Sequence, residues 1–109
     1  MSQVAICARF TLREGAAEAF DDLVRETTAA IRAQEPGTLV YACGEVEGAP
    51  NRRVFFELYA DRGAFEEHGR QPYVRHFLAE CEKYAARTEI DRLRLYAGHY
   101  PPGPGQQLT

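Results

Sequence analysis

The chain has 109 residues, 45% of them hydrophobic and 27% charged, with a formal net charge of −3; these values describe one globular domain of soluble type. A chain of this length buries roughly 65% of the surface its unfolded form exposes, enough for one core. Arg52-Arg53 is the only adjacent basic pair, which gives nucleic-acid binding little support, and no segment approaches the roughly 20 apolar residues of a membrane-spanning helix.

Residues 3–10 alternate: Val4, Ile6, Ala8 and Phe10 share one face of a strand. The spacing of Phe20, Leu23, Val24, Thr27 and Ile31 predicts a helix from Arg13 to Glu35. Glu14 and Glu18 sit near its positive end, and Pro36-Gly37 stops it with a turn that type II geometry suits. Thr38 to Val46 and Arg53 to Tyr59 read as two strands of a hairpin, joined through Gly48-Ala49-Pro50-Asn51. Asp61 is placed to cap a short helix over 62–68. Pro72 starts a third helix to about Arg87, with Tyr73, Phe77, Cys81 and Tyr84 in one stripe. Ile90 to Gly98 is the expected last strand, which ends the domain at about residue 99. The Pro/Gly-rich residues 100–109 form a tail that cannot continue a strand.

The order β-α-β-β-α-β predicts an α+β, ferredoxin-like fold: a four-stranded antiparallel sheet with its helices on one face. The strands are apolar on both sides. Val54, Phe56 and Leu58 point one way, and Phe55 and Tyr59 the other with Glu57 between them. Helices cover only one face, and the other would expose a large apolar patch. A second copy of the chain is the simplest cover, so a homodimer with face-to-face sheets is expected. Cys7, Cys43 and Cys81 match no metal or redox spacing and read as reduced, buried thiols of a cytoplasmic protein. No basic region followed by an apolar run marks a signal peptide.

One cluster stands out. Glu57 and Tyr59 are two apart on a strand and leave the same face. His68 follows Ala64 and Phe65 on the inward side of the short helix. If that strand face is the one under the helices, the three converge in a cleft walled by Phe55, Tyr73 and Phe77, suited to a flat aromatic ligand. A structural role is open for each: Glu57 as an anchor for a helix end, His68 as a hydrogen-bonded core residue, the tyrosines as packing groups. His76 falls at the rim and His99 beside the tail. The histidines are too far apart for a metal site, and no phosphate loop, G-x-S-x-G elbow or Cys-His motif is present.

The run Glu35-Pro36-Gly37, Tyr41, Phe56-Glu57-Leu58-Tyr59, Ala64-Phe65, His68 and Pro72-Tyr73 resembles the antibiotic biosynthesis monooxygenase domain over almost the whole chain. The resemblance implies a dimeric α/β barrel. It also implies a cofactor-independent monooxygenase acting with O2 on a phenolic, quinol or polyketide-type aromatic substrate. His68 or Glu57 would assist proton removal, and Tyr59 would orient the substrate oxygen. Tyr59 stands where relatives often carry Trp, and Tyr73 where many carry His. The positions matching the Asn, Trp and His of haem-degrading relatives are Ala8, Tyr59 and Leu78, which disfavours haem degradation. The run from Asn51 to His68 also looks like a branch that isomerises a phosphorylated hydroxyketone of autoinducer-2 breakdown. That reaction would need a phosphate site from Arg52, Arg53 or Arg70. A non-catalytic dimeric ligand-binding domain is the third reading, since one fold carries several functions.

Overall fold

The computed structural model describes residues 3–100; all but the first residue of the Pro/Gly-rich tail lies outside them. The elements are β1 (Val4–Leu12), α1 (Ala17–Gln34), β2 (Thr38–Val46), β3 (Ala49–Tyr59), α2 (Arg62–Arg70), α3 (Pro72–Tyr84) and β4 (Ala85–Leu93). The strands form one antiparallel sheet in the order β2-β3-β1-β4, the ferredoxin-like α+β arrangement with its second helical segment split in two.

Local chemistry explains the helices. The five-residue stripe of α1 is the set that the structure buries. Gly15 takes a φ of +78° in the turn before α1, a conformation that costs glycine nothing. Asp61 Oδ1 accepts the Ala64 N–H at 2.8 Å and caps α2. Pro72 occupies the first turn of α3, where its missing N–H has no intrahelical partner to lose.

Side-chain alternation places Ile6, Ala8 and Phe10 of β1 under the helices, beside Glu57, Phe55 and Arg53 of β3 in register. Phe10, Phe20, Phe55 and Phe77 interlock there with ring centroids 4.7–6.4 Å apart. Each contributes about 2–3 kcal/mol through its burial. Arg53 is buried beside them. Its Nε and one terminal nitrogen donate to the two oxygens of Asp21 at 2.8 and 2.9 Å, tying β3 to α1.

Several boundaries differ from the expected ones. The hairpin turn is only Glu47-Gly48, with Gly48 at φ +80°, and β3 begins at Ala49. Pro50 is accommodated because the β2–β3 register slips between Glu45 and Val46, in an irregular stretch where a ladder N–H is not required. The last strand is Ala85–Leu93 rather than 90–98, and it follows Tyr84 with no loop. The polar run Arg87-Thr88-Glu89 fits a strand because β4 is an edge strand, largely exposed. The turn after α1 closes from Thr38 N–H to the Glu35 carbonyl at 3.1 Å. Gly37 is not in the left-handed region, so the turn is not type II. Glycine is required at 37 for space instead: a Cβ there would stand 2.7 Å from the Ala64 Cβ. Cys81 is buried, but Cys43 is exposed, because β2 is the other edge strand.

On the helix-free face burial is uneven. Ala5 and Leu58, partners in register, are covered, whereas Phe56 and Leu93 are each 37% exposed.

Candidate functional site

The polar groups collect at the end of the helix-facing side away from the phenylalanine core. Tyr41 of β2, Glu57 of β3 and Ile6 of β1 are successive partners across the sheet, so they lie on one rung with their side chains on the same face. The Tyr59 hydroxyl donates to Glu57 Oε1 at 2.5 Å. The Tyr59 and His68 rings are 5.1 Å apart, and the Tyr41 and His68 rings 5.6 Å.

Glu35 organises the histidine. It follows the last residue of α1, 8% exposed, and its Oε1 lies 2.8 Å from His68 Nδ1 and accepts the Thr38 hydroxyl at 2.6 Å. The Tyr73 hydroxyl donates to its other oxygen. A carboxylate only accepts, so the proton in the His68–Glu35 bond sits on Nδ1. The other ring nitrogen, Nε2, has no hydrogen-bond partner among the described residues.

A cavity of about 510 Å³ adjoins these groups, between α2, α3 and the β1–β4 half of the sheet. Ile6, Phe65, Val74, Phe77 and Ile90 make it apolar, and Tyr41, Glu57 and His68 bring polar groups to it. Its size and lining are those of a small-molecule site. Burial raises the Glu57 carboxyl above its ordinary range by disfavouring the charged form. The Tyr59 hydrogen bond and the nearby His68 offset part of that rise. The phenols of Tyr41, Tyr59 and Tyr73 are also raised, first by burial, and remain protonated donors at neutral pH.

His68, Glu57 and Tyr59 therefore stand together, but the hydrogen-bond partner of His68 is Glu35, not Glu57. Phe77 lines the cavity. Phe55 belongs to the core and to a polar groove beside α1, and Tyr73 supports Glu35. Glu35 and Tyr41 were not singled out as site residues from the sequence. The available signal for Glu35 was an acidic residue at the negative end of a helix, where it is electrostatically misplaced unless something else holds it. Tyr41 needed the strand register. Arg52, Arg53 and Arg70 do not line the cavity. Arg53 is committed to Asp21, and Arg70 pairs with Glu67 at 3.1 Å. Among the described residues no three His, Cys, Asp or Glu side chains come together as a metal ion would require. No described helix is long and apolar enough to cross a membrane.

Solved structures share this architecture. Rv0793 from Mycobacterium tuberculosis is 28% identical and superposes with a TM-score of 0.82 over 89% of this chain and 98% of its own. PA3566 from Pseudomonas aeruginosa is 25% identical, with a TM-score of 0.80 over 89% of this chain and 97% of its own. A candidate antibiotic biosynthesis monooxygenase from Caulobacter crescentus CB15 is 24% identical, with a TM-score of 0.82 over 88% and 92%. No curated protein matches the sequence. The family model for antibiotic biosynthesis monooxygenase matches residues 3–80, which carry every group of the cavity's polar cluster. The chain belongs to the antibiotic biosynthesis monooxygenase family.

Proposed function

We propose that the protein is a cofactor-independent monooxygenase that oxidises a phenolic, quinol or polyketide-type aromatic substrate with O2. The observation that carries the reading is His68, fixed through Nδ1 by a buried carboxylate and left with an unpartnered Nε2 beside an apolar cavity of aromatic size. Such an imidazole is a general base held in one tautomer. With an anthrone-type substrate, Nε2 removes a proton from the ring methylene and an enolate forms. The enolate passes one electron to O2, and the resulting radical pair joins at carbon. Return of the proton gives a hydroperoxide, which loses water to leave a carbonyl. In balance, one ring methylene and one O2 become one ring carbonyl and one water. The electron-rich enolate reduces O2 itself, so the protein's part is to bind, deprotonate and exclude bulk water. Glu57, its carboxyl raised by burial, orients the substrate oxygen, and Tyr59 acts through its hydrogen bond to Glu57. Phe77 and the other apolar walls hold the ring, with Phe55 and Tyr73 packed behind.

The active form is a homodimer, pairing the sheet faces that carry exposed Phe56 and Leu93. Membership in a family whose members are typically dimeric supports this. Three unpaired cysteines suit a reducing cytoplasm. An oxygen electrode tests the activity against a panel of anthrones and hydroquinones. Uptake above background that disappears in His68→Gln is expected, and a panel that consumes no O2 ends the monooxygenase reading. Sedimentation at micromolar concentration should give twice the chain mass.

A further inference from the structure

The rung that carries Tyr41, Glu57 and Ile6 has a fourth member. Arg92 of β4 is the register partner of Ile6 and faces the helices with it. Two inter-strand steps separate Arg92 from Glu57, about 10 Å between Cα atoms. Two residues before Arg92 on the same face is Ile90, which lines the apolar cavity. The Arg92 guanidinium carbon lies 4.7 Å from the centroid of the Phe65 ring. Phe65 also lines that cavity and meets Tyr59 edge-on at 5.2 Å. Arg92 is thus held just outside the cavity, past Ile90, by a cation–π contact with a wall residue. Beyond it the surface opens into a second cleft of about 460 Å³, lined by Gln3, Val4, Arg62, Arg92, Leu93 and Arg94. Neither Arg92 nor Arg94 has a carboxylate partner among the described residues, and the contact of Arg62 with Glu66 is a long one at 3.7 Å on the surface. Three guanidinium groups with little local neutralisation therefore line this second cleft, which meets the apolar cavity at the contact of Arg92 with Phe65.

We propose that the substrate is an aromatic carboxylate, its ring in the apolar cavity and its carboxylate on Arg92, with Arg62 and Arg94 adding positive field. This deepens the monooxygenase reading and rests on it for the fate of the ring. A planar guanidinium matches a carboxylate with two parallel N–H···O bonds. The contact with Phe65 restrains the guanidinium in advance and reduces the ordering cost of binding.

The test is binding, measured by calorimetry on the full chain with 2-naphthoate, its neutral amide and 2-naphthyl phosphate. Naphthoate should bind at least ~10-fold more tightly than the amide, a preference that falls with added salt. Arg92→Gln should erase the preference by lowering naphthoate's affinity to that of the amide. The double variant Arg62→Gln/Arg94→Gln leaves the Phe65 contact intact and should reduce the preference without erasing it. Equal binding of naphthoate and amide, binding of neither, a preference that survives both sets of substitutions, or one confined to the phosphate overturns the proposal. Oxygen uptake keeps the two readings apart. A carboxylate preference with no turnover of any aromatic acid sinks the monooxygenase and leaves the anion site. Uptake with neutral substrates and no preference does the reverse.

Discussion

Between its helices and sheet the molecule holds two acid–base pairs, Asp21–Arg53 and Glu35–His68, and they complete their hydrogen bonding differently. Arg53 gives two nitrogens to Asp21, and its third to the carbonyls of Pro50 and Arg52 at 2.9 and 3.0 Å. All three nitrogens of that ion are engaged, and the result is a clamp between β3 and α1. In the second pair the carboxylate is the saturated member, with Thr38, Tyr73 and His68 all bonded to it. The histidine is not saturated, and its second nitrogen adjoins a cavity. The two pairs thus divide by what is left over: a structural pair uses its donors and acceptors, and a chemical one keeps a group in reserve.

Substitutions can break this contrast. The largest effect is expected for His68→Gln, which should lower the rate of O2 consumption on the order of 10²–10⁴-fold while moving the thermal midpoint little. A rate within about threefold of the parent would place both pairs in the structural class. Asp21→Ala should do the opposite. The Arg53 side chain is only 6% exposed, and removing its counter-ion should cost about 3 kcal/mol in urea unfolding. Ligand affinity of the molecules that remain folded should be unchanged. Tyr73→Phe removes one of the donors to Glu35 and should cost about 1–2 kcal/mol, with a rate loss far smaller than that of His68→Gln.

The smallest effect concerns Glu57 and appears only as a pH trend. Burial raises its carboxyl in the folded state, so between the unfolded value and the raised folded one the native state holds more protons than the unfolded. Stability then falls as pH rises through that window. Denaturant titrations at pH 4 and pH 7.5 should find Glu57→Gln gaining relative to the parent at the higher pH. A gap that stays constant, or one that reverses, would mean that Glu57 is as well compensated as Arg53.

How far these features were legible in the sequence follows from the range of the interactions involved. The stripe Phe20, Leu23, Val24, Thr27 and Ile31 is a local pattern, and it marked α1 and its buried face. Alternation in β1 and β3 placed Glu57 and Tyr59 on one side. Asp61 announced its cap from three residues away. Glu35 was not legible as a partner of His68, because 33 residues separate them and the bond exists only once α2 folds back over the turn. β4 was misplaced for a related reason. An edge strand with most residues in water needs no apolar alternation, so Ala85 to Glu89 carried no strand signal. Arg92 joined the rung of Glu57 only through pairing with β1, which no spacing along the chain encodes.

The contact between Gly37 and Ala64 has a consequence for that histidine. The turn and α2 approach until a single methyl would no longer fit between them, and the Ala60 N–H grips the Gly37 carbonyl at 2.9 Å from the same side. His68 lies one helical turn beyond Ala64, about 6 Å along the axis. How deeply α2 seats, and hence how near imidazole and carboxylate come, is gauged by an atom the chain does not have. A side chain at 37 would act as a shim, tilting the helix outward and opening the pair without touching either partner.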